Sequence, residues 1–415
     1  MNYYDSVQFL YSLGNEIQTA KFGLERIQLL LDALGNPERA GRFVHVAGTN
    51  GKGSTGAMIE AGLRIEGIRT GLYTSPHLVE PTERIRIAGE PVTTEQFAAA
   101  FTTMHDTAER MLRDGILDLH PTYFESVTAM AFLLFRECAA EITVLEVGMG
   151  GRLDATNVVT PELCVITPID LDHQTFLGDT LASIAAEKAG ILKRGVPAVF
   201  AVQHPEVEAV LRAHAQGRYT LASRDPILNL KLDARGSRFR LGHEVILCPL
   251  AGAHQVENAR TAAVALRKLG YSADGIAITR WPGRLERIRE RPEIILDGAH
   301  NPAGARALAA YIRQFYAGRK IWLVFGVMRD KAVAEIGQLL FPLADRVILT
   351  APANSRALPT AEIPAPSNAT RTGTVAEAVA LLSEAPEDAA IFITGSLFVV
   401  GEARAVLGGG SLFVQ

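Results

Sequence analysis

Short apolar runs alternate with longer stretches of helical periodicity along most of this chain. Apolar strands separated by helices are typical of a parallel sheet covered on both faces. Strands are predicted at residues 43–47, 69–74, 141–147, 163–168 and 198–201, and helices at 54–66, 94–113, 123–138 and 180–189. Ligands of such sheets bind beyond the carboxyl ends of the strands, so the loops there are candidate sites.

The pattern changes between residues 219 and 250, where short pieces at 237–241 and 244–248 predict a small antiparallel patch. An alanine-rich helix is predicted at 256–269, and the segment 279–284 marks a break. A second alternation follows, with strands predicted at 294–297, 320–325, 345–350 and 390–394 and helices at 303–316, 332–340 and 375–384. The pattern therefore predicts an α/β protein of two domains, residues 1–283 and 284–415.

Composition narrows the function classes. The chain has 415 residues, 48% of them hydrophobic, and a net charge of −4, so no basic face for nucleic acid is indicated. Three dispersed cysteines are typical of free thiols in a reducing compartment. No signal peptide and no apolar run of about 20 residues is visible. We expect a cytoplasmic protein without a membrane partner, and a monomer, although the sequence does not determine the oligomeric state.

A glycine-rich segment, residues 46–54, joins the first predicted strand to the first predicted helix. Glycines permit positive φ angles and let backbone N–H groups surround an anion at a helix N-terminus. Lys52 can neutralise phosphate charge, and Ser54 can reach a magnesium ion. The segment departs from G-x-x-x-x-G-K-[ST] at Val46 and Gly53, but its strand–turn–helix context is that of a P-loop. It predicts a nucleotide-binding enzyme that consumes ATP or GTP.

Other polar groups follow the predicted strands. Glu146 ends an apolar strand before several glycines and is well placed to hold Mg²⁺ beside a phosphate. By residue type alone, His173 is more typical of a structural histidine, and Lys188 of a lysine that complements a helix dipole. The loop 73–78 fits either a site or a proline-shaped turn. The polar turn 297–302 indicates a site, with an ordinary turn as the alternative.

These clusters occur together, and their set resembles the folylpolyglutamate synthase/dihydrofolate synthase branch of the Mur ligase superfamily. The resemblance covers essentially the whole chain. The matching segments are residues 48–54, 74–78, 145–157, 171–173, 187–190, 254–258, 282–286, 297–302 and 394–401. It implies an N-terminal P-loop ATPase domain with a mainly parallel sheet and a C-terminal Rossmann-like domain that binds glutamate.

The resemblance implies roles at the nucleotide end. The residues expected to bind ATP are Gly48, Thr49, Asn50, Gly51, Lys52, Gly53, Ser54, Asn258, Arg284 and Asp297. The residues expected to organise a pair of magnesium ions are Ser54, Ser75, Glu146 and His173. Lys188 matches a lysine that is carbamylated in this family, which turns an ammonium into a carboxylate-like group. This implication replaces the structural interpretation of Lys188 drawn from residue type.

The substrate end is implied by analogy. Residues assigned to the folate or pteroate side are Thr122, Phe124, Arg152, Asp154 and Ala155, of which Phe124 could stack on a pterin. His300 and Ser396 belong to the region where L-glutamate is expected, and His300 is a candidate base. The run 153–155 resembles bifunctional enzymes that also use dihydropteroate, but similar residues occur in some synthases of one activity.

The implied activity is an ATP-dependent amide ligase that adds L-glutamate to tetrahydrofolate, and also to 7,8-dihydropteroate, through an acyl phosphate. Mg²⁺ is the implied cofactor, ATP the co-substrate, and Lys52, Lys188 and His300 the catalytic residues. Open alternatives are a monofunctional folylpolyglutamate synthase and another Mur-type amino acid ligase, for example one using a cell-wall precursor. A P-loop motor or switch and a non-catalytic binding protein also remain open.

Overall fold

The structure is a computed structural model that describes residues 1–13, 23–364, 366–367 and 369–408. The chain forms two compact units. The first unit comprises Met1–Ser75, Pro81–Pro226 and Asn258–Ile276, and the second comprises Pro76–Glu80, Ile227–Glu257 and Ala277–Gln415. The predicted α/β class, with a large mainly parallel sheet and a small antiparallel one, is confirmed. The predicted domain boundary at residue 283 stays a prediction.

The first unit contains an eight-stranded sheet in the order β4-β3-β2-β5-β1-β6-β7-β8. Its strands are β1 (Arg42–Ala47), β2 (Thr70–Tyr73), β3 (Ile85–Ile87), β4 (Glu90–Pro91), β5 (Ile142–Glu146), β6 (Leu163–Ile166), β7 (Ala198–Phe200) and β8 (Tyr219–Leu221). All neighbours pair in parallel except β2 with β3 and β3 with β4. The central strands are mostly apolar and, apart from the exposed Arg42 that begins β1, buried, as expected for a sheet covered on both faces.

Helices flank this sheet. They are α1 (Tyr3–Ser12), α2 (Glu25–Ala33), α3 (Lys52–Ile65), α4 (Thr94–Arg113), α5 (Tyr123–Glu137), α6 (Gln174–Leu177), α7 (Leu181–Ala189), α8 (Pro205–Ala215) and α9 (Ala253–Leu269), the last of which begins in the second unit. Capping boxes at Thr93 and Thr122 begin α4 and α5, because each threonine and the residue three positions later satisfy each other's backbone N–H.

The register of the sheet aligns the carboxyl ends of its central strands. Val46 of β1 lies opposite Glu146 of β5, and Ala47 lies opposite Ile166 of β6. Strand β2 pairs in parallel with β5 on the other side. The loops that follow β2, β5, β1 and β6 therefore leave the sheet at one edge, and these loops carry most of the predicted site residues.

The second unit contains two sheets. The antiparallel sheet comprises β9 (Ile227–Leu232), β10 (Ser237–Leu241) and β11 (Glu244–Cys248). The six-stranded sheet has the order β12-β13-β17-β14-β15-β16, with β12 (Glu286–Glu290), β13 (Glu293–Leu296), β14 (Ile321–Phe325), β15 (Arg346–Leu349), β16 (Thr370–Arg371) and β17 (Ala390–Thr394). Only β12 pairs antiparallel in that sheet. The helices are α10 (Pro302–Phe315), α11 (Val333–Leu340), α12 (Val375–Ala380) and α13 (Leu397–Gly408).

Short 3-10 helices complete the two units. They lie at Pro37–Arg39, Pro81–Arg84, Ala155–Val158, Ala222–Arg224, Asp274–Ile278, Phe341–Leu343, Thr360–Glu362 and Leu381–Glu384. Cys138, Cys164 and Cys248 are free, as predicted. No helix in the described ranges combines the length and the apolar composition that a bilayer crossing requires.

Candidate active site

The glycine-rich segment forms the turn between β1 and α3. Gly51 has φ +85° and precedes Lys52, the first residue of α3. The backbone N–H of Thr49 donates to the Pro168 carbonyl at 2.9 Å, and the Thr49 hydroxyl donates to the Asp170 carbonyl at 3.0 Å. The loop after β6 thus holds the turn in place, and backbone N–H groups at the start of α3 remain suited to an anion.

Two glycines of this turn are in close contact with neighbouring side chains. A Cβ at Gly48, whose φ is +150°, would lie 1.9 Å from the Thr167 hydroxyl oxygen. A Cβ at Gly51 would lie 2.4 Å from the Asn258 side-chain oxygen. Glycine is therefore required at both positions by space as well as by conformation. The contact also brings Asn258, a predicted ATP residue distant in sequence, to the turn.

The predicted metal residues lie at or beyond the carboxyl ends of neighbouring strands. Glu146 ends β5, is buried, and accepts a hydrogen bond from the backbone N–H of Ser75 at 3.2 Å. Ser54 is buried in the first turn of α3. His173 has φ +52° before α6, and its Nε2 lies 4.0 Å from an oxygen of Asp172. The oxygen donors at this edge form a set of the kind that a hard cation prefers.

Lys188 lies in the last turn of α7 and is only 5% exposed. Burial, helped by the positive charge of Lys52, lowers the pKa of Lys188 to about 7, while Asp172 and Asp154 oppose this shift. An exposed lysine complementing a helix dipole would keep a pKa near 10.4. Burial therefore lowers the pKa of Lys188 into the range of physiological pH, which residue type alone did not indicate.

The loop after β5 packs against the end of α7. Arg152 donates its backbone N–H to the Glu187 carbonyl at 2.9 Å and its guanidinium to the Glu187 carboxylate at 2.9 and 3.1 Å. A Cβ at Gly151 would lie 3.0 Å from the Lys188 Cα. Arg152 and Lys188 are thus brought together by backbone contacts rather than by sequence proximity.

Asp154 has a structural role in addition to any role in substrate binding. One carboxylate oxygen accepts the backbone N–H groups of Gly148 and Met149, and the other accepts the N–H and hydroxyl of Thr156. Burial raises the pKa of Asp154, and these hydrogen bonds oppose the rise. The fully buried His45 contacts the Thr156 hydroxyl at 2.8 Å, and burial lowers its pKa to about 3. Both groups help to shape the loop that follows Glu146.

The other predicted folate-side residues lie around this loop. Thr122 caps α5, and its hydroxyl accepts the backbone N–H of Glu125 at 3.2 Å. Phe124 lies in the first turn of α5, where its ring approaches the position of a Cβ at Gly148 to 2.6 Å. Ala155 is buried at the start of a 3-10 helix. Phe124 is therefore in contact with the glycine-rich part of the loop, as a ring beside a substrate pocket would be.

Three predicted residues of the second unit, Asp297, His300 and Ser396, lie after its neighbouring strands β13 and β17, and a fourth, Arg284, lies just before β12. Asp297 is buried, and its two oxygens accept the backbone N–H groups of Leu285 and Ala299, each at 3.0 Å. Burial raises the pKa of Asp297, whereas the positive charge of Arg284 acts in the opposite direction. His300 Nδ1 lies 2.8 Å from the Gly298 carbonyl oxygen.

Ser396 lies on the loop after β17. Its hydroxyl accepts the backbone N–H of Phe398 at 3.1 Å as α13 begins. The N–H of Gly395 donates to the Ala299 carbonyl at 3.1 Å, so the loops after β13 and β17 are directly bonded. The glutamate-side residues His300 and Ser396 therefore lie on adjoining loops of one unit.

Two groups at the first unit's strand edge were not predicted as site residues. Thr167 contacts Gly48, and Asp172 acts electrostatically on Lys188. Both follow β6, so the rule that ligands bind at the carboxyl ends of strands could have indicated them. Their partners, however, are distant in sequence and become apparent only in the fold.

A parallel sheet whose central strand leads into a P-loop, with a second α/β unit after it, is the arrangement expected of a Mur-type ATP-dependent ligase. Two family models match the chain in that order: the Mur ligase middle domain at residues 46–266, and the Mur ligase glutamate ligase domain at residues 283–397.

Named relatives narrow the class. The chain is 35% identical to a folylpolyglutamate synthase of Lacticaseibacillus casei, over 99% of this chain and 100% of that protein. It is 38% identical to a dihydrofolate synthase/folylpolyglutamate synthase of Bacillus subtilis, over 79% of this chain and 80% of that protein. The Mycobacterium tuberculosis folylpolyglutamate synthase, solved with ADP and AMPPCP, superposes with a TM-score of 0.89 at 34% identity, over 98% and 99% of the two chains. The chain belongs to the folylpolyglutamate synthase/dihydrofolate synthase family of Mur ligases.

Proposed function

We propose that this chain adds L-glutamate to tetrahydrofolate in an ATP-dependent reaction, and that it also accepts 7,8-dihydropteroate. Its relatives support both activities, because one is named as a folylpolyglutamate synthase and another as an enzyme of both activities. The buried amine of Lys188, close enough to Lys52 for their charges to repel, carries the proposal on the structural side.

Lys188 acts in its carbamylated form in this proposal. A neutral amine attacks carbon dioxide, a nitrogen–carbon bond forms, and one proton leaves the nitrogen. The pKa of about 7 supports this step, because a large fraction of the amine is neutral at physiological pH. The resulting carbamate carries a negative charge, so its interaction with Lys52 becomes attractive.

ATP binds through the P-loop. Backbone N–H groups from Gly48 to Ser54 and the Lys52 ammonium contact the phosphates, where they offset charge that develops during transfer. Asn258 contributes from its position against Gly51. Arg284 and Asp297 are proposed as further ATP contacts, on the family resemblance alone.

The residues at the strand edge fit Mg²⁺. Glu146 supplies a buried carboxylate, and Ser54 and Ser75 supply hydroxyl oxygens, which is the donor chemistry that this cation prefers. His173 is the least typical member of the set, because its donor is nitrogen. When bound, the ion neutralises charge on the phosphate oxygens.

The reaction proceeds in two transfers. A substrate carboxylate oxygen attacks the γ-phosphorus of ATP, and the bond between that phosphorus and the oxygen bridging to the β-phosphate breaks. ADP departs, and the substrate now carries an acyl phosphate. The neutral amine of L-glutamate then attacks the acyl carbon, and inorganic phosphate leaves. His300 accepts the amine proton in this proposal, since Nδ1 donating to the Gly298 carbonyl leaves the lone pair on Nε2. Ser396 lies on the adjoining loop and is proposed to bind the glutamate.

The folate or pteroate group binds beside the loop that follows Glu146. Phe124 offers its ring next to Gly148 for stacking on a pterin. Arg152 offers a cation at the same loop, and Thr122, Asp154 and Ala155 hold its surroundings in shape. The same pocket would serve both substrates, because dihydropteroate and tetrahydrofolate share the pterin and the aminobenzoyl group.

Incorporation of labelled L-glutamate tests the proposal, measured separately with dihydropteroate and with tetrahydrofolate. We expect ATP-dependent labelling of both, and its loss in Lys52→Ala. Lys268→Ala, which removes an exposed lysine of α9, is the matched control and keeps full labelling. Labelling of tetrahydrofolate alone would indicate a monofunctional synthase. Absence of labelling with both, in a folded protein that binds ATP, would contradict the proposal and favour another Mur-type substrate.

A further inference from the structure

Three side chains with metal-binding atoms meet away from the candidate active site. His105 and Glu109 lie one turn apart on the same face of α4, and His120 lies in the segment between α4 and α5. One potential ligand atom from each of the three residues lies within 4.8 Å of the other two. Two imidazoles and a carboxylate are a ligand set that proteins use for zinc and related ions.

Each of the two imidazoles has one buried ring nitrogen that makes no hydrogen bond within the described residues. His120 Nδ1 lies 2.9 Å from the Pro121 carbonyl, an acceptor, so Nδ1 carries the hydrogen and Nε2 the lone pair. His120 Nε2 and His105 Nδ1 are both buried and have no hydrogen-bond partner in the part of the chain that the structure describes. Metal-binding histidines commonly donate their other nitrogen to a backbone carbonyl in this way.

Aromatic rings hold the two imidazoles. The Phe9 ring packs edge-on against His105 and His120, with centroids 4.5 and 5.3 Å away, and Phe101 stacks on His105 at 5.3 Å. These contacts restrict the rotation of both imidazoles before any ion binds. They also exclude water from one side of the cluster, which strengthens the attraction between Glu109 and a cation.

We propose that His105, Glu109 and His120 bind a divalent ion of the zinc class, with water as the fourth ligand. Nitrogen ligands favour zinc, cobalt or nickel over magnesium. Zinc bonds to nitrogen and oxygen are about 2.0–2.2 Å long, so tetrahedral ligand atoms stand about 3.4 Å apart. Ligand atoms that lie within 4.8 Å of one another would approach to about this separation when the ion binds, through torsional changes of the three side chains.

The ion would have a structural role. It would join the C-terminal half of α4 to the segment that leads through His120 into the capping box of α5 at Thr122. A bound ion stabilises the folded state in proportion to its preference for that state over the unfolded chain. The site is independent of the proposed ligase activity, because none of its residues belongs to the active-site set.

Zinc binding to the tag-free full chain tests the proposal. The chain is stripped with a chelator and titrated with zinc against a chromophoric chelator, with excess Mg²⁺ present to occupy oxygen-rich sites. We expect about one tight zinc ion per chain. Glu109→Gln, His105→Gln and His120→Gln should each weaken binding at least about tenfold. His214→Gln, which removes an exposed histidine of α8, should leave the affinity unchanged.

Cobalt provides a second readout that does not depend on the stability of the variants. Cobalt bound at this site in the wild-type chain should give visible absorption of a four-coordinate ion, and zinc-soaked crystals should give anomalous density between the three side chains. Equal zinc affinity in wild type and Glu109→Gln, or anomalous density only elsewhere, would overturn the proposal. So would a wild-type chain that binds no zinc.

Discussion

Both units carry polar loops at the carboxyl edge of a mainly parallel sheet. They differ in the surroundings of one buried ionisable group, Lys188 in the first unit and Asp297 in the second. In the first unit, the buried amine of Lys188 experiences the positive charge of Lys52, and its pKa falls to about 7. In the second unit, burial also raises the pKa of Asp297, but each oxygen of this carboxylate accepts a backbone N–H and the charge of Arg284 is favourable.

This difference between the two buried groups indicates two kinds of role, a chemical one for Lys188 and a positioning one for Asp297. A buried group that is disfavoured in its charged form can change its state or react, as we propose for Lys188. A buried group with donors on both oxygens instead fixes the backbone around it, as Asp297 does for Leu285 and Ala299. Substitution of Lys188 should therefore act mainly on activity. Substitution of Asp297 should act first on the structure of its loop, in addition to any effect on the ATP contact proposed for it.

The largest effect is expected from Lys188→Ala. Removing a charged group that orders the active site should lower glutamate ligation about a hundred- to a thousandfold. Because alanine leaves a space next to Lys52, a short carboxylic acid such as acetate should restore part of the activity by replacing the carbamate. Labelled-glutamate incorporation with increasing acetate measures this rescue.

The matched control for this rescue is Lys193→Ala. Lys193 lies beyond the end of α7 and donates to the Asn157 carbonyl at 3.3 Å, outside the proposed catalytic set. Its variant should retain ligation and show no response to acetate. Absence of rescue in Lys188→Ala, with the fold intact by circular dichroism, would argue against a working carbamate.

The next effect is on stability as a function of pH. The folded pKa of Lys188 is about 7 and the unfolded value 10.5, so the unfolded chain binds more protons between these limits. Stability should therefore rise with pH in this window, and the penalty for the buried charge is complete below pH 7. At about 1.4 kcal/mol per pH unit, the free energy of unfolding should increase by about 2–3 kcal/mol from pH 7 to pH 9.

Lys188→Met separates this contribution from other titrating groups. Urea unfolding in carbon-dioxide-free buffer should show the wild type gaining stability relative to the variant as pH rises. A difference between the two proteins that does not change with pH would mean that Lys188 keeps an ordinary pKa. Added bicarbonate should raise the stability of the wild type more than that of the variant, since the variant lacks the amine of Lys188.

The strands and helices of the two units differ in how well the sequence predicts them. The central strands of the first unit were predicted within a residue or two, because continuous apolar runs are unambiguous in a buried sheet. Strand β12 was missed because Glu286–Glu290 is mostly charged and lies at a sheet edge. Helices α1, α2, α6, α8 and α13 were also not predicted.

Some site residues could be predicted from local sequence patterns, whereas others depend on contacts that form only in the fold. The P-loop was predicted from local spacing, because the turn and the helix start are consecutive in sequence. Lys188 required the family resemblance, since its unusual chemistry depends on burial that no local pattern reveals. The cluster of His105, Glu109 and His120 was missed, because the third member follows a loop and joins the other two only in three dimensions.

A smaller effect is expected from Gly51→Ala, with Gly318→Ala as its matched control. Both glycines have positive φ, +85° and +81°. Alanine costs about 1–2 kcal/mol for that conformation at either position. Only at Gly51 would the new Cβ also collide with Asn258, at 2.4 Å, whereas no atom lies within 4 Å at Gly318. Gly51→Ala should therefore raise the KM for ATP about tenfold, and Gly318→Ala should not. Equal KM values would mean that the Gly51–Asn258 contact is unimportant for ATP.

The smallest effect is expected from Asp297→Asn. Asparagine keeps one acceptor for the N–H of Leu285 or Ala299 and loses the other, which costs about 1–3 kcal/mol. Burial raises the pKa of the Asp297 carboxyl, which means that its charged form is costly to bury. The neutral asparagine avoids this cost, and the avoided cost offsets part of the loss of the hydrogen bond. We therefore expect a net loss of about 1 kcal/mol in the free energy of unfolding, measured by urea denaturation. A loss of several kcal/mol would show that the charge on Asp297, and not only its hydrogen-bond geometry, maintains the loop, and the second unit would then resemble the first in depending on a buried charge.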